Sequence, residues 1–153
     1  MRGICITRMP NSGYFTNMKE VFDVLGNARQ YNWLLSYHDC NHYPSEKISY
    51  DKDYVWLTGD EFVDIVTEYN IQFIWGTAAA YKKDITLDEV LQYPLPPDGK
   101  FADYCQLPVS MQNPLADTEI YFIDSTFLVI TSKSKDVIER FATAYPDSEY
   151  LGE

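Results

Sequence analysis

An α+β fold built on a single mixed or antiparallel sheet, with helices mainly on one face, is predicted from three features of this sequence. Helix-like and strand-like runs interleave through its first half. Thr58 with Glu61, and Thr86 with Glu89, form two capping-box patterns that mark helix starts. Two β-rich runs stand side by side late in the chain, around Asp124-Ser125, and a helical pattern follows them. At 153 residues, with no repeat or low-complexity segment, residues 1–153 are expected to form one domain with a core that needs no disulfide or metal staple.

Residues 2 to 8, RGICITR, are β-branched and alternate enough for a first strand, which the Pro10-Asn11-Ser12-Gly13 turn ends. From Tyr14 to Leu25, apolar side chains at Phe15, Met18, Val21, Phe22 and Leu25 recur at helical spacing, and Gly26 with Asn27 supplies the stop. Residues 31 to 39, YNWLLSYHD, are aromatic-rich and read as a second strand. The polar stretch from Cys40 to Asp53 reads as a loop or weak hairpin leading to the short apolar run YVWL. The Thr58 capping box then opens a helix with Phe62, Ile65, Val66 and Tyr69 on its apolar stripe. Residues 71 to 81, IQFIWGTAAAY, form a buried strand whose Gly76 and alanines let a neighbour pack closely. The Thr86 box marks a short helix that Pro94 ends. Residues 94 to 118 make a long, proline-punctuated connection, a length that is either functional or wrapped on the surface. EIYFID and TFLVITS are two β-rich runs around Asp124-Ser125, either a tight hairpin or one bulged continuous strand, and residues 134 to 145 form a helix with Val137, Ile138, Phe141 and Tyr145 inside.

Charge narrows the partners. Lys and Arg number 12 against 23 Asp and Glu, a formal net charge of -11, which opposes phosphate backbones and anionic lipid. A nucleic-acid ligand is therefore not expected, and a basic partner protein is compatible. MRGICITRMP has no signal-peptide core and no run approaches membrane-spanning length, so a cytoplasmic location without membrane attachment is expected. The cysteines Cys5, Cys40 and Cys105 are dispersed and odd in number, a pattern of reduced thiols.

Residues 36 to 44, SYHDCNHYP, hold both histidines and one cysteine. An extended backbone there would send His38, Cys40 and His42 to one side, where they could ligate a metal or activate a thiol. That supplies only half of the usual paired zinc spacing, and a fourth ligand would have to come from Cys5 or Cys105. Both histidines are expected at a solvated strand end. Asp60, Asp64 and Glu68 share one helical face and form a candidate surface for a basic partner. Within 94 to 118, Phe101, Asp103 and Tyr104 add aromatic and acidic contact residues beside Tyr93, Leu107 and Met111. No carboxylate pair is isolated in an apolar run as a general acid requires. No glycine-rich phosphate loop and no Gly-x-Ser-x-Gly elbow occur, and no motif asks for a cofactor or specifies an oligomeric state. Trp33, Trp56 and Trp75 are expected in the core.

The stretches IWGTAAAYKKDITLDEVLQYPLP and ADTEIYFIDSTFLVITSKSKDVIERF together resemble a small, uncharacterised bacterial family, a domain of unknown function, in which such a strand leads to a final helix. In overall character the chain is also similar to immunity proteins that neutralise bacterial toxins. That similarity implies a toxin partner, a basic one, met by carboxylates and aromatics. The sequence thus favours a non-enzymatic protein-binding domain, immunity-like or regulatory. Its alternatives are a Cys/His metal-binding or thiol enzyme using residues 38 to 42, and a small-molecule sensor with an aromatic pocket near Trp75 and Gly76.

Overall fold

The structure is a computed structural model that describes residues 2–7, 16–95 and 110–152. Its strands are β1 (Arg2–Ile6), β2 (Tyr31–Cys40), β3 (Tyr54–Thr58), β4 (Phe73–Lys82), β5 (Thr118–Ile123), β6 (Phe127–Ser132) and β7 (Glu149–Leu151). They form one seven-stranded sheet in the order β3-β2-β4-β5-β6-β1-β7. Every neighbouring pair is antiparallel, so the sheet is antiparallel throughout. The helices are α1 (Met18–Leu25), α2 (Gly59–Glu68), α3 (Leu87–Val90) and α4 (Lys135–Ala144). This is the α+β class the sequence predicts.

Helix boundaries follow their caps. Asn17 accepts the Glu20 N–H and starts α1, and Gly26 ends it in the left-handed region at φ 80°. The expected helical residues Tyr14 and Phe15, like the turn at 10 to 13, lie outside the described residues. Both capping boxes form: Thr58 and Glu61 exchange bonds at α2, Thr86 and Glu89 at α3. Ser134 caps α4 by accepting the Val137 N–H.

Helices α1, α2 and α4 lie on one face of the sheet. Met18, Val21 and Phe22 of α1, Phe62 and Ile65 of α2, and Ile138 and Phe141 of α4 share one buried cluster with Ile4, Trp33, Leu35, Phe73, Ile120 and Ile130 of the strands. Phe22 meets Phe62 edge-on at 4.9 Å and Trp33 at 5.0 Å, so α1 and α2 are joined through rings above β2. Full burial of each such side chain stabilises by about 1.5–3 kcal/mol.

The opposite face is covered too. All six residues of β5 are buried, so its alternation sends Ile120 and Phe122 to the helices and Glu119, Tyr121 and Ile123 to the other side. There α3 and residues 111–116 pack over Leu34, Ala79 and Tyr81. The β5–β6 hairpin turns through the three residues Asp124, Ser125 and Thr126, with Asp124 and Ser125 at φ 48° and 58° and the Thr126 N–H donating to the Ile123 carbonyl at 3.0 Å. Strand β7, which no sequence pattern announced, covers the free edge of β1. Among the described residues no helix is long and apolar enough to cross a membrane.

Candidate functional site

The sequence suggests an unbroken second strand, but β2 is bulged. Ser36 pairs with Thr77 and Asp39 with Trp75, so Tyr37 and His38 together oppose the single residue Gly76. Tyr37 lies in the left-handed region at φ 48°, where an aromatic side chain is strained by about 1–3 kcal/mol. Gly76 makes this possible. It has φ 128°, and a Cβ there would come within 2.9 Å of the His38 Cα. The small residue noted in the sequence therefore admits the protein's own backbone.

The bulge is held from outside the sheet. The Tyr37 N–H donates to the Asp53 carbonyl at 2.8 Å, tying β2 to the residue before β3. His38 Nε2 faces the Ser49 carbonyl at 2.7 Å and the Ile48 carbonyl at 3.3 Å. Carbonyls only accept, so Nε2 carries a proton and donates. Tyr43 accepts the Cys40 N–H at 3.0 Å through its hydroxyl, which in turn points to Asp39 Oδ1 at 3.4 Å. The Tyr43 ring lies 5.6 Å from that of Tyr50.

Around this knot lies a recess of about 510 Å³, lined by Tyr37, His38, Asp39, Tyr50, Lys52, Asp53 and Trp75. Tyr50 is 75% exposed, the most open large apolar side chain among the described residues. Asp39 and Asp53 are exposed. Asp51 accepts the Ser49 hydroxyl, which holds its carboxyl below the ordinary range. A hollow of about 630 Å³ between α1 and α4 is larger, but two of its three charged groups are engaged, since Arg140 donates to the Leu25 carbonyl and Glu139 pairs with Lys135, while Asp136 is exposed.

His38, Cys40 and His42 do not converge. His38 is 6% exposed, correcting the expectation of a solvated ring, and its Nε2 is committed to backbone. Cys40 packs in the helix-side core, where burial foremost, and the Asp39 charge after it, push its thiol up to about 12. A thiol so raised is not a ready nucleophile. His42 is exposed and donates to the Asn70 carbonyl at 3.0 Å. Cys5 belongs to the opposite face, and Cys105 lies outside the described residues. Among the described residues no group of three or more His, Cys, Asp or Glu side chains is placed to hold a metal.

The acidic face of α2 is partly neutralised at home. Arg29 reaches Asp60 at 3.1 Å and Asp64 at 2.7 Å, one carboxylate per arm of its guanidinium. Glu68 is exposed. Phe101, Asp103 and Tyr104 lie outside the described residues, as does most of the 94-to-118 connection. Of the tryptophans, Trp33 is core, Trp56 is half-buried against Tyr81, and Trp75 forms part of the recess wall.

One carboxylate was missed. Glu119 is fully buried in the centre of the sheet, a single acid that a reading for carboxylate pairs passes over. It accepts the Gln112 N–H at 2.9 Å, the Asn113 N–H at 2.8 Å and the Tyr121 hydroxyl. Burial raises its carboxyl above the ordinary range against the pull of those donors. The signal was the parity of TEIYFI, which puts Glu119 on the same face as Tyr121 and Ile123. Its acceptor capacity is spent on the backbone at 112 and 113, which makes it a structural anchor for that segment. Comparison of the chain with protein-family models, curated proteins and solved structures found no match.

Proposed function

We propose that this chain is a non-enzymatic protein-binding domain, immunity-like or regulatory, and that it meets a basic partner through the recess at the β2 bulge. One observation carries the reading: a strained, externally braced Tyr37 at a sheet bulge, with Tyr50, Trp75, Asp39 and Asp53 around an open hollow. Strain and bulges collect where a fold holds side chains for contact with something else. Aromatics beside carboxylates suit a protein interface, because flat rings give large contact area at low entropic cost and the acids select charge. The net charge of -11 steers basic molecules toward the surface. The acids of α2 are secondary in this reading, since Arg29 already offsets Asp60 and Asp64.

Capture of partners from the source lysate at low salt tests the proposal, using wild type, Tyr50→Ala and Glu68→Gln side by side. A stoichiometric partner should be retained by Glu68→Gln and lost by Tyr50→Ala. Equal capture by all three would move the contact away from the recess and sink the reading.

A further inference from the structure

We infer that the outer edge of β3 takes an extended segment of the partner as an added strand of the sheet, uncharged along β3 and basic where it passes Asp51 and Asp53, an assignment that rests on the protein-binding reading above. β3 ends the sheet order, with β2 on one side only. Two hydrogen bonds fix which way its main chain faces. The Tyr37 N–H donates to the Asp53 carbonyl and continues the β2–β3 register, so Asp53, Val55 and Leu57 turn their main chain toward β2. The Thr58 N–H donates instead to Glu61 Oε1, on the other side of the alternation. Tyr54 and Trp56 share that side, so their N–H and C=O groups point away from the sheet, and no described residue bonds to them. Main-chain groups without a protein partner stay with water, because sealing them unpaired is costly. Two donors and two acceptors in alternation are what a further strand pairs with.

The two edges of the sheet differ. β7 is three residues long, starts on Glu149 and is exposed at Glu149 and Tyr150, features that keep an edge from pairing. β3 has five residues with no charge, proline or bulge against β2, and its Tyr54, Val55 and Trp56 are half-buried. Val55 packs with the helix-side cluster, and Tyr54 and Trp56 with the cluster on the opposite face, so a strand laid alongside gains apolar neighbours on both faces. Residues 46–48 stand on the helix side, where Ile48 is in the core and Lys47 reaches Glu61, and they make no main-chain bond to β3. Charge selects the occupant. Asp51 and Asp53 precede the uncharged run and Asp60 and Glu61 follow it, with Lys52 the one cation between residues 51 and 61. Arg29 and Lys47 offset the second pair, so the pull on a cation is stronger at the Asp51 and Asp53 end. A second copy would bring the same acids and a further net charge of -11, which a basic segment does not.

Titration of the isotope-labelled full chain with the peptide acetyl-Lys-Lys-Thr-Val-Thr-Val-Thr-Lys-Lys-amide, followed by amide shifts and amide hydrogen exchange, is the experiment. Its controls are the same peptide with glutamate for every lysine, and the same peptide N-methylated throughout its Thr-Val core. Strand pairing should slow exchange of the Tyr54 and Trp56 amides at least tenfold at saturation and leave Val55 and Leu57, already bonded to β2, unchanged. Contact through side chains alone does not produce that alternation. The lysine peptide should bind at least tenfold more tightly than the glutamate peptide, and the N-methylated peptide should protect neither amide. Tyr54→Pro removes an outward N–H and no bond to β2, so it should keep the fold and weaken binding about fivefold. Asp51→Asn with Asp53→Asn, which leaves the ladder intact, should weaken it about as much. Equal binding of the two charged peptides, or binding that protects neither Tyr54 nor Trp56, overturns the assignment. So does protection of both that grows with protein concentration in the absence of peptide, which would make the edge a seam between two copies. If the lysine peptide fails to pair while partner capture still depends on Tyr50, the edge assignment falls and the protein-binding reading stands. If it pairs but capture ignores Tyr50, the edge assignment stands and the recess is not the contact.

Discussion

Gly76 and Tyr37 are two halves of one feature, and only one half can be read locally. The glycine in IWGTAAAY signals a close approach, but nothing in NWLLSYHD signals that Tyr37 adopts a positive φ, because the cause lies on the neighbouring strand. Gly76→Ala places a methyl 2.9 Å from backbone at an angle that alanine resists, and it should destabilise by about 2–3 kcal/mol in urea unfolding. Cys40 was singled out by its histidine neighbours, yet its environment is set by the core above it. Its thiol should alkylate far more slowly in the native chain than in urea. Glu119 was passed over because composition does not distinguish a buried acid from a surface one. Burial holds its folded-state value above the ordinary carboxylate value, so the folded chain binds that proton more tightly than the unfolded chain does. Its contribution to stability is full below the ordinary value and declines as pH rises through the raised one. Glu119→Gln should flatten that part of the pH–stability curve. Glu119→Ala, which strands the Gln112 and Asn113 N–H groups, should cost about 2–4 kcal/mol.

Whole elements were legible where their ends carry chemistry. Thr58 and Thr86 cap as their spacing implies, since a capping bond reaches only three residues and needs no tertiary partner; Asn17 and Ser134, which cap α1 and α4 through one bond each without a capping box, were not read from the sequence. Thr58→Ala should remove about 1 kcal/mol of stability by thermal or urea unfolding. Strands β4 and β5 were legible as apolar runs, because both of their faces are covered. β7 was not, since three residues carry no period and its pairing to β1 is decided by what precedes it. The contact between α4 and α1 was likewise hidden. Tyr145 donates to Glu20 at 2.9 Å, and Arg140 donates to the Leu25 carbonyl at 2.7 Å. Such bonds join residues far apart in sequence, and no local pattern specifies them.

At the scale of the molecule, the α+β class was legible because interleaved helices and a late strand pair leave few ways to bury both. The strand order was not, since it depends on which distant edges meet. Charge acts at this scale as well. With a net charge of -11, association with a basic partner should slow by about tenfold or more from low to high salt, while dissociation changes little, as measured by stopped flow.

The position of β1 has a kinetic consequence. It pairs with β6 on one side and β7 on the other, so the earliest strand of the described chain is closed in by the two latest. During synthesis β1 waits without its sheet neighbours until β6 and β7 have been made, with Ile4 and Ile6 uncovered. Completing the sheet then means closing the longest loops in the chain, which slows refolding into the range of milliseconds to seconds. A nascent chain arrested before β6 should hold β1 open to protease, and release of the last strands should shut it.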